Sequence, residues 1–141
     1  MFSRMQALLT DLTLCFERGD FAGVIGHYDF PLPLELEDRK LLMTRPSELE
    51  ALLRELLAKR RRARFASTRA EIMALELPRR ARFRAWVRYH HMDAAGSVID
   101  HSDRIFHCRD RGRRLLIEAL EVTRMPHADT AGWVTMRRIS A

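Results

Sequence analysis

The spacing of apolar residues changes near Ala63 from a helical period of about 3.6 to a strand period of two, and few folds accommodate that order. Ahead of the change, Met5, Leu8, Leu9, Leu12, Cys15 and Phe16 recur on one helical face, as do Leu49, Leu52, Leu53, Leu56 and Leu57. Beyond it, Phe83, Ala85, Val87, Tyr89 and His91 alternate with Arg84, Trp86, Arg88 and His90. Helices of this kind carry one apolar stripe, and strands of this kind one apolar side. Laying the helices on one face of a sheet buries both, which is an α+β architecture.

Local chemistry sets the boundaries. Ser3 with Gln6, and Ser47 with Glu50, have the spacing of capping boxes for a first and a third helix. Gly19 ends the first helix, and Asp20 caps a short second one from Phe21 to about Tyr28. Asp29-Phe30-Pro31 stops it, because proline disfavours helical geometry in the residue before it. Pro31 to Leu36 and Lys40 to Met43 read as a hairpin, with the prolines placing its first strand at a sheet edge. Pro46 falls in the first turn of the third helix. Lys59, Arg60, Arg61 and Arg62 gather at its carboxyl end, where the helix dipole favours positive charge; they read as a solvated helix end rather than a phosphate site.

Residues 66–77, Arg82 to Asp93, Ser97 to Cys108 and Arg113 to Thr123 read as strands, the last three joined by short turns in an antiparallel meander. In the tail after Arg124, Gly132-Trp133-Val134-Thr135-Met136 reads as an added strand or an arm that packs on a partner subunit. With no repeat, low-complexity tract or linker, residues 1–141 are expected to form one domain with its core in 3–124.

At 141 residues, 47% hydrophobic and 31% charged, the chain can bury roughly two-thirds of its unfolded surface and has a globular balance. No apolar run approaches the ~20 residues that cross a bilayer, and the first residues lack a secretory layout, so a cytoplasmic protein without a membrane partner is expected. Cys15 and Cys108 have no CxxC partner and read as small buried apolar residues rather than a disulfide. The net charge of +6 comes from arginine, with Lys40 and Lys59 the only lysines. The arginines are dispersed along strands and turns, where they keep a sheet in solution, so no nucleic-acid partner is expected. His90 and His91 are adjacent in a strand and point to opposite faces; no metal or cofactor is expected.

The order of elements resembles the nuclear transport factor 2-like superfamily, which includes SnoaL-like polyketide cyclases and ketosteroid isomerases. Phe16-Glu17-Arg18-Gly19-Asp20, Tyr28-Asp29-Phe30-Pro31, and Phe106-His107-Cys108-Arg109-Asp110-Arg111-Gly112 carry the likeness, over residues 3–124. It implies helices packed on a strongly curved antiparallel sheet, the cystatin-like cone. It also implies a pocket for a small apolar molecule inside the cone, serving an isomerase, cyclase or dehydratase, or else a non-catalytic module that dimerises through the outer sheet face. The tyrosine and two aspartates of the ketosteroid isomerases have no match here.

Within that resemblance Tyr28, Phe30, Trp86, His90, His101, Asp103 and Glu118 are the candidate pocket walls. His101 and Asp103 share a strand face and offer an acid–base pair, with Tyr28 as hydrogen-bond donor to a developing enolate. Phe30, Trp86, His90 and Glu118 would bind the ligand. Alternatives stay open: His101 and Asp103 as a polar outer face, Glu118 as the partner of Arg104 or Arg88, and Tyr28 as core packing. Trp86, Tyr89 and Trp133 on the outer face would favour a homodimer.

Overall fold

The structure, a computed structural model, describes residues 1–126. Helix α1 spans Phe2–Glu17 and buries Met5, Leu8, Leu9 and Leu12. Its first hydrogen bond runs from the Met5 amide to the Met1 carbonyl, so Ser3 lies inside the first turn and forms no cap. Gly19, at φ +73°, lets the chain turn back so that the Gly19 and Asp20 amides donate to the Phe16 and Cys15 carbonyls. The Asp20 carboxylate then accepts from the Gly23 amide and caps α2, Phe21–Ile25. This helix is shorter than its sequence pattern suggests. The Ile117 amide donates to the His27 carbonyl and the Ile117 carbonyl accepts from Asp29, which draws Tyr28 into a parallel bridge with the sheet.

Strands β1 (Leu32–Leu36) and β2 (Arg39–Met43) form the expected hairpin. Helix α3, Pro46–Arg62, starts with Pro46 after an extended Arg45. Here too the side-chain box is not made; Thr44 Oγ1 instead donates to the Glu48 carboxylate at 2.9 Å. Strands β3 (Ser67–Leu75), β4 (Arg82–Met92), β5 (Val98–Asp110) and β6 (Leu115–Arg124) follow in meander order.

All of these strands join one curved, open sheet of six strands in the order β2-β1-β6-β5-β4-β3. Every pairing is antiparallel except β1 with β6, which is parallel and matches only Leu34 with Leu120 and Glu35 with Glu121. The sheet is therefore mixed, and β1 is an inner strand rather than the edge its prolines suggested. Pro33 is tolerated because the ladder to β6 begins one residue after it. Between β3 and β4, Arg79 and Arg82 exchange both backbone hydrogen bonds across Arg80 and Ala81, which hold φ values of 53° and 66°.

One core fills the space between α1 and the concave side of the sheet, with Met5, Leu9, Phe106 and Ile117 fully buried. Bidentate hydrogen bonds from Arg4 to Asp110, both 2.9 Å, tie the start of α1 to the end of β5. The segment around Trp133 lies outside the described residues. Cys15 and Cys108 are free thiols; Cys108 is buried, which pushes its pKa up to about 12, whereas Cys15 is only partly buried.

Candidate functional site

A cavity of about 200 Å³ opens between α1, α3 and the concave face of the sheet. A smaller chamber of about 60 Å³ lies against β1 and β6. Tyr28, Leu53, Leu56 and Arg104 line both chambers and so form the partition between them. The larger chamber adds Phe16, Thr68 and Tyr89, with Glu17 and Arg60 as its charged wall. The smaller one is aliphatic apart from Tyr28, Arg104, Ser102, Met125 and Pro126.

Arg104 is the polar centre of this interior. On β5 it shares the inward phase of Ser102, Phe106 and Cys108, all buried. Its guanidinium lies over the Tyr89 ring, 4.8 Å from the centroid. Its Nε is buried and has no hydrogen-bond partner among the described residues. Burial pushes the Tyr28 and Tyr89 hydroxyls above the ordinary tyrosine range, while the Arg104 charge pulls both the other way.

Arg60 corrects the expectation for the basic end of α3. It is 9% exposed, stacks on the Phe16 ring at 4.9 Å and faces the cavity, while the equally buried Lys59 reaches Glu55 at 3.0 Å. Lys59 and Arg60 are thus buried, while Arg61 and Arg62 stand in solvent as expected. Glu17 supplies the opposing charge and accepts from the Thr68 amide at 3.1 Å.

His91 is 0% exposed behind this wall. It stacks on Phe65 with centroids 4.8 Å apart, and its two nitrogens meet the Thr68 and Ser102 hydroxyls at 3.0 and 3.1 Å. Burial, reinforced by the charges of Arg60 and Arg104, lowers its pKa to about 3, so the ring is neutral.

The structure brings one member of the sequence-derived set, Tyr28, to the cavity. Trp86, His90, His101 and Asp103 stand on the opposite, convex face. Arg84 covers the Trp86 ring at 4.9 Å, and His90 meets Glu71 at 2.9 Å. Asp103 receives a bidentate pair from Arg88 at 2.8 and 3.1 Å, with His101 at 3.9 Å. Arg88 holds the Asp103 carboxyl below its usual range, the reverse of what a general base needs. Phe30 packs against the core and lines neither chamber.

Glu118 is turned out by a bulge. His107 pairs with Ala119 and Cys108 with Ile117, leaving Glu118 as the extra residue. It meets Arg82 and Arg109, each at 3.0 Å, rather than Arg104 or Arg88. Tyr89, expected on the outer face, belongs to the cavity wall. Among the described residues no group of three or more His, Cys, Asp or Glu side chains could hold a metal ion.

No protein-family model matches the chain, and no curated protein matches it. Solved structures do. A nuclear transport factor 2-like protein of unknown function from Shewanella oneidensis aligns with a TM-score of 0.67 at 11% identity, covering 86% of this chain and 97% of that one. A Nostoc punctiforme domain of unknown function with a cystatin-like fold gives 0.66 at 12% identity, over 99% and 86%. A ketosteroid isomerase-like protein from Erwinia carotovora atroseptica gives 0.63 at 14% identity, over 87% and 95%. At these identities the likeness is one of fold.

Proposed function

Taking as premise that the chain has the nuclear transport factor 2-like, cystatin-like cone fold, we propose that it binds a small, largely apolar molecule inside the cone. The observation that carries this reading is the two-chambered interior divided by Tyr28 and Arg104. A core whose only purpose was packing would close on such space, because each unfilled volume loses dispersion contacts. The larger chamber, at about 200 Å³, falls below the roughly 300–1,000 Å³ of drug-sized sites, so the occupant is compact, of the size of one ring.

An isomerase, cyclase or dehydratase activity would have to work through Tyr28, which can donate a hydrogen bond to a developing oxyanion beside Arg104. His91 is neutral and spends both ring nitrogens on hydroxyls, so it positions Thr68 and Ser102.

Isothermal titration with small cyclic ligands, starting with cyclohexanol, tests the binding. Leu56 lines both chambers, and Leu56→Phe should lower the affinity at least ten-fold while the far-UV circular dichroism stays unchanged. Undiminished binding to a folded Leu56→Phe protein would place the ligand elsewhere.

A further inference from the structure

We infer that the ligand is a carboxylate, with its anionic head on the Arg104 guanidinium and its apolar body in the larger chamber. This rests on the binding role proposed above and specifies its chemical class. Arg104 has Tyr89 on one face of its guanidinium and a buried Nε without a partner among the described residues. A guanidinium is always charged, and a buried donor left unpaired is costly, so the site favours whatever supplies a planar pair of acceptors. A carboxylate does this bidentately.

The surrounding charge agrees. Arg60 brings a further guanidinium to the same wall, and the facing Glu17 is held by the Thr68 amide. The histidine behind the wall stays neutral, so it brings no charge of its own to this balance. The wall of the larger chamber carries Arg60, Arg61 and Arg104 beside Glu17. Tyr28, on the partition, stands where its hydroxyl can donate a further hydrogen bond to the same head group. Leu12, Val24, Leu53 and Leu57 give the larger chamber apolar walls for a one-ring body, for which the smaller chamber, at about 60 Å³, lacks the room.

The distinguishing experiment compares cyclohexanecarboxylate with its neutral isostere cyclohexanecarboxamide by isothermal titration, on the wild-type protein, Arg104→Met and Arg104→Lys. The expected result is a preference for the acid of about ten-fold in the wild type, since a charge-assisted bond exceeds a neutral one by that much. The preference should vanish in Arg104→Met and return in part in Arg104→Lys, with near-UV circular dichroism verifying the fold of each. Equal affinities for acid and amide in the wild type would overturn the carboxylate assignment and leave the binding role standing. A preference that survives in folded Arg104→Met would overturn the role of Arg104. Binding of neither compound, nor of cyclohexanol, would overturn both.

Discussion

His91 shows how one side chain links the interior to solution conditions. Its folded pKa lies near 3, below its ordinary value of 6.5, so the unfolded chain takes up a proton that the folded one refuses. The stabilisation from the neutral ring is fully present above pH 6.5 and is lost as pH falls from there toward 3. We expect the melting temperature of the wild type to fall between pH 6.5 and pH 4.5, two marks within that window, more steeply than that of His91→Gln. Parallel curves for the two proteins would show that this histidine does not control acid stability. Arg104 is a different case, a half-buried side chain whose Nε is buried without a partner among the described residues.

The turn between β3 and β4 is costly at the level of the element. Its two central residues both have positive φ, the signature of the mirror-image hairpin turn, but they are Arg80 and Ala81 rather than Asn and Gly. A left-handed conformation costs a residue with a Cβ roughly 1–2 kcal/mol, partly offset because glycine would loosen the unfolded chain. The double substitution Arg80→Asn, Ala81→Gly should therefore stabilise the protein by about 1 kcal/mol, measured by urea denaturation.

The elements differ in how legible they were. The change of period at Ala63 located the two halves, and the alternation in β4 named its buried side correctly through Phe83, Ala85, Val87 and Tyr89. The capping boxes did not form, since α1 starts one residue ahead of Ser3 and α3 opens on Pro46. The phase of β6 was lost at Glu118, because a bulge shifts every later side chain and leaves no unambiguous mark in sequence. Arg104 did leave a mark: it is the arginine in phase with Ser102 and Phe106. Period two alone could not say that this phase faces inward.

Across the whole molecule, the net charge of +6 is spread rather than gathered. Arg82, Arg84, Arg88, Arg109 and Arg124 each meet a carboxylate within 3.0 Å. On the convex side His90 and His107 are likewise paired, with Glu71 and Glu121. That face is a lattice of ion pairs, individually weak in water. The interior arginines are of a different kind, and the sequence hid the difference because both kinds alternate along the same strands. Among the described residues no helix is long and apolar enough to cross a membrane.

The two-pair parallel ladder between β1 and β6 has a dynamic consequence. It is the narrowest seam in the sheet, and the aliphatic chamber straddles it, with Leu32, Leu34 and Leu36 on one bank and Leu120 and Val122 on the other. Local breathing concentrates where few backbone bonds must open together. In hydrogen–deuterium exchange the amides of Leu34 and Leu36 should lose protection before those of Val87 and Phe106 in the long β4–β5 ladder, and uniform protection across the sheet would contradict this. The hairpin would then act as a flap on a short hinge line, opening the aliphatic chamber each time that line unzips.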